Sequence, residues 1–488
     1  MDDVLLTGRP TGNKLLATVV IIGIALGLAS ANAALTVASI LLAYVLVKLL
    51  WRPGEPPVLL YAMGFQWVQA SILIFFADLQ NLTLKELGAN SLDAGGEMIG
   101  AATWLTLMSL LAIALGIRLA VGPSRKFEAQ AAMESLTVQL EVQRLFYASL
   151  WAIALSSVLT QFSYMAPGLS EPVRGLVLLR WVVYYLLAYT VITQRRGYQQ
   201  LTIVLAVELS IGFLGFFSDF RAVLIMTLMA AMAAPNALRG IRFRNIVAII
   251  VLTASLGVIW QSIKSDYRNF LNQGEAGQVI LVSRIAQFSE LVTLIGDLTP
   301  EKLIEGGRDL IYRIQFVNFF GATMGVVPAY IPHENGRLWL EAIEHVLSPR
   351  LFNPSKPVIN DSDRTAEYSG MAVAGGEDGS SIGIGYIAET YIDFGPVVMM
   401  IALFIWGLWV GWVYRILTRS ARYLPFAYGC AAALITQNAA LVEQSNMKMV
   451  GSMLIGFLAL YLVQKYLAGK LLQLLVAPFE VGVVRRID

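Results

Sequence analysis

Two carboxylates, Glu389 and Asp393, stand four residues apart in SSIGIGYIAETYIDFGP (380–396), a spacing that places both on one helix face. The apolar run that follows sets this face at the outer end of a membrane helix. A half-buried carboxylate there favours its protonated form and suits a general base acting on a sugar hydroxyl. The structural alternative is a helix cap or an ion pair with a loop arginine. Glu389 is the functional candidate of the two, and Asp393, just before Phe-Gly-Pro, the structural one.

Cations are the next group able to do chemistry. Arg221 lies in FSDFRAVL (217–224), in a short connection at the outer mouth between two spans. Its planar fork suits bidentate binding of phosphate, and the competing reading is a snorkelling residue paired with Asp219. A long loop adds Arg268, Arg284, Arg308, Arg313, Arg337, Arg350, Lys356 and Arg364, most of which read as solvated or ion-paired. Arg308 and Arg313 stand out, because an apolar helix at the membrane surface would carry them. Within the spans, Arg180 and Glu208 read equally as a functional pair or as partners for each other. His333 and His345 read as surface loop histidines. Two histidines exclude a histidine-rich metal site, although an oxygen-ligand site for a hard cation stays open. The single cysteine, Cys430, excludes an intramolecular disulfide.

The elements that must position these residues are membrane helices. Hydrophobic residues make up 57% of the 488 and charged residues 14%, with a mean hydropathy of +0.66, outside the range of soluble domains. Apolar blocks of about 17–25 residues match the thickness of a hydrocarbon core. They are continuous and not alternating, which excludes a β-barrel. Spans are expected near 12–29, 33–50, 57–77, 98–120, 145–165, 174–193, 199–217, 221–238, 245–262, 386–414, 424–441 and 450–468. Ala-Asn-Ala before residue 33 resembles a signal-peptidase site, but a span follows at once, so an uncleaved first helix is expected.

Lys48, Arg52, Arg118, Arg125, Lys126, Arg144, Arg195, Arg196, Arg239, Arg242, Arg244, Arg415, Arg419 and Arg422 fall in alternate connections. The opposite connections carry Asp78, Glu86, Asp93, Glu97, Glu171 and Glu443. By the positive-inside rule both termini are cytoplasmic. The chain therefore divides into nine spans (1–262), a large extracytoplasmic loop with amphipathic helices (263–385), and three spans with a cytoplasmic tail (386–488). Helical periodicity is expected at 278–297 and 308–320, and 311–331 reads as a buried or interfacial loop helix, not a span. No nucleotide-binding glycine motif, internal repeat or Ser/His/Asp spacing occurs. The small net charge of +2 sits at span ends and implies no nucleic-acid partner.

Three segments together resemble the Wzy-type polymerases of O-antigen and exopolysaccharide repeat units. They are FSDFRAVL (217–224), SPRLFNPSKP (348–357) and GYIAETYIDFGP (385–396). These are similar to the family's arginine at an outer helix mouth, its Pro-Arg…Pro-x-Lys-Pro loop segment and its Ala-Glu-x-Tyr…Phe-Gly span entry. The first motif usually reads Ser-Arg-Gly, whereas Phe220 and Ala222 flank the arginine here. The likeness covers about the last 270 residues, and the first 200 match only as spans.

The resemblance implies an all-α polytopic membrane protein of about 12 transmembrane helices, GT-C-like, with one large, partly helical periplasmic loop, in a bacterial inner membrane. It implies a glycosyltransferase with undecaprenyl-diphosphate-linked glycans as donor and acceptor, without cofactor or metal. A chain-length regulator or export protein is the protein partner it suggests, and the bilayer the lipid one. Glu389 would be the base, and Arg221, Arg308 and Arg313 the diphosphate ligands. Arg350, Lys356, Tyr391 and Asp393 would contact glycan or loop. The alternatives are an O-antigen ligase, which typically carries a histidine where this chain has SSIGIG, and a twelve-helix secondary transporter. A transporter would show two similar halves. A structural subunit of an export assembly is a further option.

Overall fold

A computed structural model describes residues 10–89, 96–123, 139–214, 220–234, 243–275, 280–348, 350, 353, 356, 360–375, 380–419 and 423–476. Among these residues the chain is helical throughout, with one isolated bridge between Leu140 and Val476. The first part folds as α1 (Pro10–Gly27), α2 (Ala33–Leu50), α3 (Val58–Leu79), short α4 (Leu84–Ala89), α5 (Ile99–Val121) and α6 (Val142–Met165). Then come α7 (Ser170–Val177), α8 (Leu179–Gln194), α9 (Tyr198–Leu214), α10 (Phe220–Ala233) and α11 (Phe243–Leu271). The large loop holds α12 (Arg284–Gly296), α13 (Pro300–Ile314), α14 (Val317–Val326), α15 (Arg337–Leu347) and α16 (Asp361–Ser369). Finally α17 (Tyr386–Arg419), α18 (Leu424–Asn438), α19 (Asn446–Tyr466) and α20 (Ala468–Leu475) follow.

Each expected span coincides with a helix, the sixth being divided between α7 and α8. Among the described residues, seven stretches are long and apolar enough to cross a membrane: Ala33–Leu50, Val58–Leu79, Gly96–Val121, Val142–Ser163, Ser170–Gln194, Tyr386–Arg419 and Asn446–Tyr466. The chain is a helical membrane protein. Helices α9, α10 and α18 are apolar but shorter, at 17, 14 and 15 residues.

Helices α5 and α17 cross in close backbone contact. A Cβ at Gly116 would lie 2.2 Å from the Phe404 carbonyl oxygen, and one at Gly407 2.2 Å from that of Ile113. Lipid tails are as apolar as leucine, so close van der Waals contact, not water exclusion, holds such a pair. Gly407→Val is therefore expected to force the helices apart. Size-exclusion chromatography in detergent should show a several-fold loss of monodisperse protein. Gly64→Val, where an added Cβ meets nothing within 4 Å, should behave as wild type.

The ends of the bundle differ in chemistry. At one end Arg52 pairs with Glu55 through Nε at 2.7 Å and donates from Nη1 to the Gly122 carbonyl at 2.8 Å. Tyr414 donates to the same Glu55 at 2.7 Å, and Arg419 donates to the Val121 carbonyl at 2.9 Å. The ends of α2, α5 and α17, with Arg52, Arg118 and Arg419, thus gather on one side. On the opposite side Asn32 donates from its backbone and side chain to Asp78, at 2.9 and 2.8 Å.

The loop is ordered by its own capping chemistry. Helix α11 runs on to Leu271 instead of ending near 262, and α13 packs antiparallel along it. Ser262 donates to the Lys302 carbonyl at 3.0 Å, while Gly257 faces Leu310. Within the 278–297 stretch the described residues Ile280–Ser283 are not helical and the helix begins at Arg284, where the Ser283 hydroxyl accepts the Ala286 N–H. The 308–320 stretch is two helices and not one, because Gln315 is extended. Its Oε1 accepts the N–H groups of Val317 and Asn318 at 3.0 and 3.2 Å, which caps a new helix. That helix, α14, is largely buried against α5 and α16, inside the expected 311–331 segment.

Candidate functional site

The site is built on a break in α17. Gly395 adopts φ +67° and ψ −177°, and Pro396 follows, which separates a lead-in, Tyr386–Phe394, from the long helix beyond. A side chain at Gly395 would be strained by that φ and would also meet the His333 ring at 3.1 Å. Eight of the nine lead-in residues, Tyr386 to Asp393, are buried, so Glu389 is a core residue of the loop–bundle junction and not an exposed helix end.

Asp393 accepts the N–H of Leu338 at 3.0 Å and of Trp339 at 2.9 Å, one on each oxygen. It thereby caps α15 from another element, and both oxygens are occupied. Tyr391 donates to the Val327 carbonyl at 3.2 Å and packs edge-on against Phe320 and His333. His333 Nδ1 lies 3.2 Å from the Ile392 carbonyl. These contacts join the loop to the lead-in.

Glu389 is 1% exposed. One oxygen accepts the Asn446 N–H at 2.7 Å, at the first residue of α19, where the helix dipole favours negative charge. The other lies 3.4 Å from Arg364 Nη1. Arg364 also donates to Glu341 at 2.9 Å, and Glu341 accepts from Arg337 at 3.0 Å. Arg337 pairs with Glu334 at 2.8 Å and donates to Tyr368 at 2.7 Å, and Tyr368 donates back to Glu334 at 2.7 Å. The bonds from Arg337 and Tyr368 hold the Glu334 carboxyl below its usual range. Beside this chain Lys448 pairs with Asp361 at 2.8 Å and donates to Ser381 at 2.8 Å. The polar chain runs from the buried Glu389 to the half-exposed Arg337.

A second buried carboxylate supplies an internal comparison. Glu208 is held on both oxygens by Arg180, one of them from Nε at 2.8 Å, as a structural ion pair between α8 and α9. Glu389 is equally buried but has one neutral donor and one long guanidinium contact. A structural carboxylate in that position would be held more tightly. Its loose pairing leaves a carboxylate with accepting capacity to spare.

The remaining candidates lie elsewhere. Arg221 is exposed at the start of α10 and shares no hydrogen bond or ion pair with the Glu389 network among the described residues. Asp219, its expected partner, lies outside the described residues, as do Pro349, Leu351, Phe352, Pro354, Ser355 and Pro357 of the 348–357 segment. Arg308 and Arg313 are exposed on α13. Arg313 belongs to a cationic group with Lys264 and Arg268. Burial and the charges of Arg268 and Arg313 hold Lys264 below its usual value, and burial and Arg313 do the same to Arg268. Lys356 donates to the His345 and Ser348 carbonyls, closing the C-terminal end of α15, and Arg350 lies close by. Burial, with the Lys356 and Arg350 charges, pushes His345 down to about 4, so its ring is neutral near pH 7.

The sequence anticipates a loop arginine beside Glu389 but not which one, and it gives no sign of the Asn446 N–H. Arg364 was one loop arginine among eight cations, and Asn446 lies 57 residues from Glu389 in a connection that reads as an ordinary short loop.

The model of a domain of unknown function, DUF8712, matches residues 52–473, which include every member of the Glu389 network. The chain belongs to the DUF8712 family. No curated protein and no solved structure matches it. The match begins after α2, at the Arg52 contact, takes in the large loop and ends within α20.

Proposed function

We propose that this chain is a twelve-span glycosyltransferase of the bacterial inner membrane, with cytoplasmic termini. It would join undecaprenyl-diphosphate-linked oligosaccharide repeat units into O-antigen or exopolysaccharide at the periplasmic face. The observation that carries this reading is the buried, loosely paired Glu389 at the junction of loop and bundle. In the reaction Glu389 takes the proton of an acceptor hydroxyl as that oxygen bonds to the anomeric carbon of the donor. The bond from that carbon to the diphosphate breaks, and the diphosphate leaves with the electron pair.

A diphosphate leaving group needs cations and not an acid. Arg313, grouped with Lys264 and Arg268, would supply that charge, with Arg308 on the same helix. Arg313 precedes by three residues Phe316, whose ring packs against Gly385, four residues before Glu389. Phe316 and Phe320 also line a small apolar cavity with Ile387 and Ala388. Arg221 is the outlying member of the proposed diphosphate set.

Deleting the gene and resolving surface glycan by gel electrophoresis tests the reading. Single repeat units without long chains are expected. Full-length polymer left on its lipid carrier would mean a ligase, and normal attached long chains would sink both readings.

A further inference from the structure

Asn446, the first residue of α19, is 0% exposed, and neither Oδ1 nor Nδ2 of its side chain has a hydrogen-bond partner among the described residues. Two residues earlier, Gln444 Oε1 is likewise unpartnered. The helix does not need the Asn446 amide, because the Ser445 hydroxyl caps it by accepting the Lys448 N–H. The backbone N–H of Asn446 is engaged by Glu389 at 2.7 Å, so the idle amide belongs to a residue that itself touches the carboxylate. Leaving both a donor and an acceptor buried and unmet costs stability at each end, and folded proteins rarely tolerate it without a reason.

The unmet pair defines its complement. A phosphate offers acceptors but no donor, and an ammonium offers donors but no acceptor. A sugar hydroxyl gives and takes one hydrogen bond each, and a neutral amide with both ends open matches it without a charge to desolvate. The neighbouring charges are already committed: Lys448 to Asp361 and Ser381, and Arg364 to Glu341 and Glu389. We propose that the Asn446 side chain binds an uncharged hydroxyl of the acceptor sugar, seating it beside the hydroxyl whose proton Glu389 takes. This rests on the function proposed above and adds to it a recognition residue and the neutral class of group it selects.

Asn446→Ala and Asn446→Val remove the amide and separate a binding role from a structural one. Melting would be followed on the purified full chain in detergent. Transfer would be followed in nanodiscs, with the lipid-linked single repeat units that accumulate in the deletion strain. At least one variant is expected to melt at or above the wild-type temperature, because a buried unmet amide has been removed. In that variant the half-saturating acceptor concentration should rise about tenfold while kcat changes little. Lower melting or failed accumulation in both variants would overturn the proposal, since the amide would then be holding the fold. An unchanged half-saturating concentration in a folded variant would overturn it as well. Glu389→Gln in the same assay keeps the two ideas apart. Normal transfer by that variant removes the proposed function, whereas lost transfer with an indifferent Asn446→Ala removes only the recognition role.

Discussion

Glu389→Gln is expected to abolish long glycan chains while leaving a folded protein. Loss of a positioned general base lowers a transfer rate by about 10²- to 10⁴-fold. At that rate, chain extension in a cell would stop at single repeat units. The substitution preserves volume, and a glutamine Oε1 still accepts the Asn446 N–H that Glu389 holds at 2.7 Å. Arg364 keeps its contact with Glu341 at 2.9 Å. The fold should therefore survive, which protein level and melting temperature would check. Asp393→Asn, four residues on, should do the reverse. One of the two N–H groups capped on α15 loses its acceptor or faces an NH2 group, at about 0.5–2 kcal/mol, while chain length stays normal. Normal chains in Glu389→Gln at normal protein level would end the assignment. Lost chains in both variants would mean that the lead-in needs only its shape.

The contrast between these neighbours marks how far the sequence could be read. Their spacing put both on one helix, and the Phe-Gly-Pro after Asp393 marked it as the structural member. The spans were legible because an apolar block of membrane length leaves few alternatives, and each expected block holds a helix. The break at Gly395 was harder to see, because Gly-Pro is tolerated within membrane helices. Only the packing of His333 against Gly395 shows that the lead-in is a separate buried piece. The division at Gln315 was hidden for a similar reason: its Oε1 caps α14, and glutamine is not among the usual capping residues. Partners of Glu389 depend on contacts across 25 and 57 residues, which no local pattern encodes. Arg313 was expected on a helix at the membrane surface, and no local pattern gives its grouping with Lys264 and Arg268, which comes from α13 folding back along α11.

Glu208→Gln is expected to be among the most destabilising single substitutions in the bundle, and for a reason unrelated to chemistry at the loop. Arg180 is 16% and Glu208 1% exposed, and the guanidinium also lies 5.1 Å from the Trp181 ring. Removing one charge from a buried pair strands the other, at about 3–5 kcal/mol, because the desolvated guanidinium keeps its cost and loses its compensation. A denaturation series in mixed micelles should read a loss of that order. The double variant Arg180→Met/Glu208→Leu removes both charges and should recover most of it, since two apolar side chains replace the pair without desolvation cost. The recovered variant then decides what the pair is for. If it makes long chains as wild type does, Arg180 and Glu208 serve only each other, joining α8 to α9. If it folds but makes none, the pair touches substrate inside the membrane, and the active site extends beyond the loop junction around Glu389.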